Sequence, residues 1–238
     1  MNSIPDHVRS KAISFLKKKP NIWPTIQSLR GKTSGTFCSP ETDLCVEGFE
    51  SSANTYTFVV IRSLRPDLNI AHHTHSAAGV KLAIRYSIPI LILFRDPHEA
   101  IPSVVTRFRP SVYESILNYI NFYECVMKNA DNVILSRFDE VIEDIGDTIG
   151  KIERQTAIEF GARNLKDIEE EAQAHIHNWT RQNGRMSSVA LPKEEREQAK
   201  KEIRSELNSQ EEFSRAVAVY EKINDIYCSR QSEDTSNL

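Results

Sequence analysis

The strongest constraint on the fold is an uninterrupted apolar run at residues 88–94, Ile-Pro-Ile-Leu-Ile-Leu-Phe. Because no polar residues alternate with the apolar ones, the run predicts a strand that is buried on both faces. Strands of this kind occur in parallel sheets whose faces are covered by crossover helices. We therefore expect residues 88–94 to form the centre of a mostly parallel sheet.

Strand and helix patterns alternate through residues 44–150, and the last third of the chain is helical in pattern. Such alternation favours an α/β fold in which helices cover both faces of the sheet, giving three layers, α/β/α. The other predicted strands are 44–49, 68–71 and 132–136, with a short one near 36–38. The predicted helices are 6–19, 55–64, 77–86, one from 97, 112–129, one from 147, 165–179, 193–207 and 210–227.

The 238 residues fit one large domain with its own core. Within this single domain we distinguish a lead-in at 1–43, an α/β core at 44–150, a helical part at 151–228 and a flexible polar tail at 229–238. The first predicted helix is amphipathic, because apolar side chains recur at helical spacing. They are Val8, Ala12, Phe15 and Leu16.

Charge and composition argue against several classes of protein. With 30 basic and 33 acidic residues, the chain lacks the basic excess of a nucleic-acid binder, so we expect no nucleic-acid partner. The four cysteines lack zinc-site spacing and predict reduced thiols, with a Cys38–Cys45 bridge as the alternative. Neither a signal-peptide core nor an apolar run long enough for a membrane span is present. We therefore expect a cytoplasmic protein without a membrane span.

The turn after the first predicted strand of the core is suited to an anion. In a parallel sheet, ligands gather where strands end and helices begin, and the amide groups at a helix start carry partial positive charge. Ser51, Ser52 and Ala53 are small enough to let the backbone approach such a ligand. The alternative is an ordinary strand-to-helix turn in which Ser or Asn caps the helix.

A second candidate site follows the central strand. Pro97 fits the first turn of a helix, so Arg95 is expected at the strand end and Ser103 two turns along that helix. A guanidinium and a hydroxyl placed in this way can hold one phosphate, the first through charge-assisted hydrogen bonds. The alternative is that Arg95 pairs with Asp96 or another nearby carboxylate.

Three motifs in chain order point to one family. They are the Gly-Phe-x-x-Ser-x-x-Thr-Tyr loop at 48–56, Arg-Asp-Pro at 95–97 with Ser103, and Arg-Phe-Asp-Glu at 137–140 after a strand. Together, over residues 44–145, they resemble the sulfotransferase superfamily. Those enzymes use 3′-phosphoadenosine 5′-phosphosulfate (PAPS) as co-substrate on a three-layer α/β/α fold like that of P-loop NTPases. The resemblance makes the α/β core a nucleotide-binding core.

The resemblance also implies roles for individual residues, with no metal. The first loop would hold the 5′-phosphosulfate, and Arg95 with Ser103 the 3′-phosphate. A weaker likeness at Arg-Gln-Asn-Gly, 181–184, implies that Arg181 closes over the nucleotide. The loop residues implied to bind are Ser51, Ser52, Ala53, Asn54 and Thr55.

In this family a histidine between the two phosphate loops acts as general base. Here that region reads His-His-Thr-His at 72–75, and the resemblance favours His75. An imidazole can accept the proton of the acceptor hydroxyl while sulfur is attacked. A metal site built from the three histidines and a plain polar turn are the alternatives.

The first loop departs from the family pattern. The family carries Lys or Arg where Ser51 stands, usually after Pro where Glu50 stands, and that cation stabilises the bridging oxygen as the sulfuryl group leaves. A missing cation at a developing charge costs several kcal/mol. The sequence offers four candidate replacements, which are Lys32, Lys81, Arg85 and Arg107.

The expected activity is therefore transfer of a sulfuryl group from PAPS to a hydroxyl or amine of a small-molecule or saccharide acceptor. The first alternative is a nucleotide-binding protein of the same fold that has lost catalysis and acts as a sensor or interaction module. A weaker alternative is a P-loop-type kinase, which would need Mg²⁺ and a loop lysine.

Overall fold

A computed structural model describes residues 5–29, 36–161, 165–182 and 194–236, with side chains except at 175–182, 194–196 and 233–236. The described residues form an α/β structure with a four-stranded, wholly parallel sheet in the order β2-β1-β3-β4. These strands are β1 (Leu44–Gly48), β2 (Ile70–His72), β3 (Ile90–Phe94) and β4 (Ile134–Arg137). The predicted α/β/α class is confirmed, and the apolar run lies at the sheet centre.

The described helices agree with most of the predicted ones. Two short helices were not expected, α2 and α7, and the segment near Thr36 forms a single bridge to His72 rather than a strand. The last helix continues through Ser236, into the predicted tail. None of the described helices combines the length and the apolar character needed to cross a membrane. The helices are α1 (Asp6–Leu16), α2 (Trp23–Leu29), α3 (Asn54–Leu64), α4 (Ala77–Arg85), α5 (Pro97–Phe108), α6 (Val112–Met127), α7 (Phe138–Glu143), α8 (Ile145–Gln155), α9 (Leu165–Gln182), α10 (Glu194–Asn208) and α11 (Phe213–Ser236).

Alternating side chains of the central strand supply both cores. Ile92 and Phe94 pack into the core formed with α4, α5, α6 and α11, and Leu91 and Leu93 pack into the opposite core with α3, α8 and α9. Every residue of β3 is buried. This explains why the run carries no polar residue: each side chain leaves the sheet into apolar surroundings.

The chain reverses its direction across the sheet between β1 and β3. From β1 the chain crosses through α3 to β2 at the edge, and from β2 it returns through α4 to β3 on the other side of β1. The loops after β1 and β3 therefore leave neighbouring strands toward opposite faces. In α/β sheets such a switch point opens a crevice at the carboxyl ends of the strands, where ligands bind.

Helix α1 packs with its polar side inward. Ser10 and Ser14 are buried against α6, where Asn121 donates a hydrogen bond to the Ser14 hydroxyl. Val8 and Phe15, on the apolar side of the predicted amphipathic helix, are exposed. Polar contacts thus attach this helix to the rest of the chain, whereas an amphipathic surface helix usually buries its apolar stripe.

The C-terminal helix α11 is attached to the sheet by a buried polar cluster. The Lys151 ammonium donates to Tyr227 Oη at 2.6 Å and contacts Glu140 Oε2 at 3.2 Å, and the Tyr227 hydroxyl donates to the same carboxylate. Lys151 is buried, so its charge depends on these partners. The cluster joins α7, α8 and α11 next to the end of β4.

We predict that Tyr227→Phe lowers the free energy of unfolding by about 1–3 kcal/mol, because it leaves a buried ammonium and a half-buried carboxylate short of one partner. Denaturant unfolding measures the change. Tyr86→Phe, which removes the hydroxyl of an exposed tyrosine, is the control and should change stability by less than about 0.5 kcal/mol. Equal effects of the two substitutions would contradict a stabilising role for the cluster.

Candidate functional site

The two loops that the sequence analysis singled out meet at the switch point. Arg95 Nη1, after β3, donates a hydrogen bond of 2.9 Å to the Ser51 carbonyl oxygen, after β1. The two residues are 44 positions apart in sequence. Their contact follows from the sheet order, because β1 and β3 are adjacent and parallel.

The loop after β1 adopts a conformation that leaves the start of α3 without a side-chain cap. Ser51 and Ala53 both have φ of 67°, in the left-handed region. Ala53 occupies the N-cap position and gives the helix no side-chain cap. The loop is therefore not the Ser- or Asn-capped turn of the alternative interpretation, and the first amide groups of this 11-residue helix carry the usual partial positive charge.

Gly48 brings the strand end and the loop close together. A Cβ at this position would lie 2.5 Å from the Leu93 carbonyl oxygen and 2.7 Å from Asn54 Oδ1. Asn54 Nδ2 donates to the Phe49 carbonyl oxygen at 2.9 Å, which closes the loop on itself. A larger residue than Gly at 48 would displace the loop.

Three buried side-chain oxygens of this loop, Glu50 Oε2, Ser52 Oγ and Asn54 Oδ1, have no hydrogen-bond partner among the described residues. Ser52 Oγ lies beside the Tyr123 phenol, and no group in the described ranges meets hydrogen-bond geometry with it. The same holds for Asn54 Oδ1. An unpaired buried polar group costs free energy, so such atoms in a loop at a switch point are a mark of a ligand site.

Two tyrosines of α6 hold both loops in place. Tyr123 Oη accepts the Phe49 N–H at 3.3 Å and donates to the Leu93 carbonyl oxygen at 2.9 Å. Tyr119 donates to the Arg95 carbonyl oxygen at 2.7 Å. Burial raises the pKa of both phenols, so each keeps its proton and its donor role. The sequence analysis missed these contacts, although the two positions lie four apart on the apolar stripe of one helix.

Arg95 is held by a ring and faces several carboxylates. Its guanidinium lies over the Phe138 ring, 3.8 Å from the centroid, and burial lowers its pKa while Glu99 and Asp139 raise it. The Glu99 carboxylate is 4.0 Å from Arg95 but 2.5 Å from Arg204 on α10. Glu99 therefore pairs mainly with Arg204. The predicted alternative, in which Arg95 pairs with Asp96 or another nearby carboxylate, is met in part by the longer contact with Glu99, and no ion pair with Asp96 is present among the described residues.

Ser103 lies on α5 as predicted and is half-buried. Within the described residues it forms no hydrogen bond with either loop. The side chain of Arg181, on α9, lies outside the described residues, as do Asn183 and Gly184 of the same motif. The two loops thus converge, whereas a joint site that includes Ser103 and Arg181 stays a prediction.

One of the four candidate cations reaches the divergent loop position. Arg107 Nη1 donates to Ser51 Oγ at 3.1 Å. Lys81 instead donates to the Lys18 carbonyl oxygen, and Arg85 donates to Asn21. Lys32 lies outside the described residues. A guanidinium from α5 therefore contacts the Ser51 side chain directly.

Glu50 is directed toward α1. Its Oε1 lies 3.7 Å from Lys17 Nζ. Burial works against ionisation, but the charges of Lys17 and His75 outweigh it and lower the pKa of this carboxyl below its usual value. The negative charge next to Ser51 is thus balanced by a lysine at the end of α1.

His75 is oriented by the first strand. Its Nδ1 lies 2.7 Å from the Gly48 carbonyl oxygen, which can only accept, so Nδ1 carries the proton and Nε2 is the acceptor. The Glu47 carboxylate accepts the backbone N–H groups of Thr74 and His75 at 2.8 and 3.0 Å. These bonds support a backbone in which His75 has a φ of 45°.

Glu47 is a fully buried carboxylate in the middle of β1. Burial raises its pKa, although His75 and the amide groups of Thr74 and His75 act in the opposite direction. The sequence analysis did not use this residue. Its signal was a lone carboxylate inside an apolar strand, which indicates a buried partner rather than a solvent-facing position.

The other two histidines form a chain of contacts to the loop. His72 stacks on Phe58 with 3.8 Å between ring centroids, its Nδ1 lies 2.5 Å from His73 Nδ1, and His73 Nε2 lies 2.9 Å from Thr55 Oγ1. Burial lowers the pKa of His72 to about 4 and of His73 to about 3, and His75 adds to both effects. No three His, Cys, Asp or Glu side chains within the described ranges are arranged to hold a metal ion.

In comparisons with known proteins, the chain matches no protein-family model and no curated protein at a significant level. The function must therefore be argued from the geometry of the crevice.

We predict that stability falls as pH is lowered below about 6.5. The unfolded histidines bind protons near that pH, whereas His72 and His73 in the fold resist protonation down to about 4 and 3. The stability that neutral His72 and His73 contribute is fully present above the pKa of histidine in the unfolded chain. It is lost as the pH falls toward the pKa values of these residues in the fold. Urea unfolding between pH 7 and pH 5 measures the slope.

In the same experiment, His73→Asn should make the free energy of unfolding depend less on pH. The reason is that the substituted chain takes up fewer protons on unfolding, by up to about one. Asn tolerates the left-handed φ of 58° at this position and does not titrate. His7→Asn, at an exposed position of α1, controls for the removal of one histidine. A His73→Asn slope equal to that of the unsubstituted chain would refute the assignment.

Proposed function

We propose that this chain is a PAPS-dependent sulfotransferase whose loop cation is supplied by Arg107. The observation that carries the proposal is the convergence of two guanidinium groups on one loop residue. Arg95 contacts the Ser51 carbonyl oxygen and Arg107 contacts its hydroxyl. Two positive charges at the start of a helix favour a polyanionic ligand, and the motif order resembles that of the sulfotransferase superfamily.

The residues of the crevice fit a phosphosulfate group. Small side chains, two left-handed residues and the uncapped start of α3 leave backbone amides for anion binding. The unpaired hydroxyl of Ser52 is a further donor. In this proposal the loop from Ser51 to Thr55 binds the 5′-phosphosulfate, and Arg95 with Ser103 binds the 3′-phosphate.

The proposed chemistry is an in-line transfer of a sulfuryl group. His75 Nε2 accepts the acceptor's proton while the acceptor oxygen or nitrogen forms its bond to sulfur. The bond between sulfur and the bridging oxygen breaks, and its electron pair stays on the 5′-phosphate of adenosine 3′,5′-bisphosphate. Arg107 stabilises the charge that develops on that oxygen, as a positioned donor does in other group transfers.

A second function, nucleotide binding without catalysis, is favoured by one observation. Arg95 and Arg107 both hold Ser51, so their hydrogen bonds already serve the loop itself. A cation that must leave such a contact during the reaction would stabilise the transition state less. Binding and transfer measurements separate the two functions.

We predict that adenosine 3′,5′-bisphosphate at 100 times its dissociation constant stabilises the protein by about 2.7 kcal/mol. Arg95→Ala should weaken this binding by at least about tenfold, because a charge-assisted fork is lost. Arg85→Ala, which removes an exposed guanidinium at the far end of α4, should bind as tightly as the unsubstituted protein. Stabilisation by ATP with Mg²⁺, and not by the bisphosphate, would instead favour the kinase interpretation.

We predict that sulfate transfer from labelled PAPS to a panel of hydroxyl and amine acceptors falls by about 10²–10³ in kcat for Arg107→Ala and by at least about 10² for His75→Ala. Lys81→Ala removes another candidate cation, one that contacts α1 instead of the loop, and should leave kcat unchanged. Bisphosphate binding without transfer to any acceptor would favour the binding function. Full activity of Arg107→Ala would refute the role given to that residue.

A further inference from the structure

Three of the four residues on the predicted apolar side of α1 are exposed, and the fourth, Leu16, is half-buried. Val8, Ala12 and Phe15 follow the spacing of one helix face and are all exposed, with Phe15 57% exposed. The side that meets α6 is built from Ser10 and Ser14. Most of the apolar stripe therefore lies at the surface of the described structure.

Exposed apolar side chains are concentrated in this part of the molecule. Single exposed apolar residues are ordinary, but contiguous ones mark interaction surfaces. Of the seven large hydrophobic residues that are exposed in the described ranges, four come from residues 8–29, and Leu29 is 83% exposed. The four are Val8, Phe15, Ile22 and Leu29.

The same segment carries concentrated positive charge. Residues 5–29 contain five Lys and Arg against a single Asp, whereas the whole chain has a net charge of -3. The segment is thus about four charges positive and the remainder about seven negative, and one of the five cations, Lys17, is paired with Glu50. Lys19 Nζ lies 4.5 Å from the Phe15 ring centroid, so a cation borders the apolar stripe directly. The surface thus combines exposed apolar side chains with positive charge, which are seldom adjacent on a protein without a partner.

We propose that the exposed side of α1, with Val8, Ala12 and Phe15 and the lysines that flank them, binds the surface of an anionic lipid membrane. Apolar side chains of such a helix enter the boundary between headgroups and acyl chains, and the lysines stay near the lipid phosphates. Each Lys near an anionic leaflet adds to the attraction, and this part falls as salt is raised. The proposal is independent of sulfuryl transfer.

The charge of the segment argues against a second copy of this chain as the occupant. In a two-fold contact the same positive surface would face itself, and like charges would oppose the association. An anionic bilayer meets both features of the surface at once. A negatively charged protein partner is the remaining occupant, and failure of the protein to float with either kind of vesicle would favour it over the bilayer.

The test is flotation of the full-length protein with two kinds of vesicle, phosphatidylcholine alone and phosphatidylcholine with about one-third phosphatidylglycerol. Binding is expected only to the second kind and should decrease at high salt. Phe15→Ser should reduce the apparent partition coefficient by about tenfold. The double substitution Lys11→Glu and Lys19→Glu should reduce it by about tenfold or more.

Ile142→Ser is the matched control, because this side chain is 55% exposed on α7, among acidic residues. It should bind vesicles as the unsubstituted protein does. Circular dichroism and the unfolding midpoint of each variant confirm that it folds. Equal flotation of Phe15→Ser and the unsubstituted protein would overturn the proposal. So would an absence of flotation together with a concentration-dependent dimer that Phe15→Ser abolishes, since the surface would then be a protein interface.

Discussion

The candidate site depends on a carboxylate buried in the sheet. Burying Glu47 costs free energy unless its charge is compensated, and two backbone N–H groups of the loop after β2 compensate it. These bonds stabilise a loop in which His73 and His75 take left-handed conformations that histidine seldom adopts. The buried Glu47 carboxylate thus stabilises a loop whose left-handed conformations are themselves unfavourable. The geometry of His75 is inseparable from the composition of β1.

The crevice between β1 and β3 is held together by contacts that a ligand would also use. Arg95 and Arg107 donate hydrogen bonds to Ser51, and Tyr119 and Tyr123 fix the two strand ends from α6. A site built in this way is preorganised, since its donors already lie at the crevice. The same contacts limit how far each guanidinium can serve a ligand. The contacts with Ser51 therefore hold the two guanidinium groups in place and at the same time make them less available to a ligand.

Prediction from sequence succeeded where a pattern has a single physical cause. The run at 88–94 is typical of a strand buried on both faces, and its place between helical patterns led to the fold class and to the convergence of the loops at Ser51 and Arg95. It failed where the cause is a contact between distant residues, as for Glu47 and Tyr123. It also failed to reveal that α1 turns its apolar side outward, because periodicity shows that a helix has two sides and not which side is buried. Roles of Ser103 and Arg181 depend on a bound nucleotide and stay predictions.

The electrostatics of the anion loop extend to α1 through one ion pair. Glu50 adjoins Ser51, so an uncompensated carboxylate there would repel a sulfate at the start of α3. Lys17, at the end of α1, lies 3.7 Å from it, and the Lys17 carbonyl oxygen accepts the N–H of Ala78 at the start of α4. The lead-in helix thus supplies a charge that the loop needs and is anchored to a helix of the α/β core. Because its inner side is polar, α1 contributes to this part of the molecule through charge and hydrogen bonds, which leaves its apolar side available for a different contact.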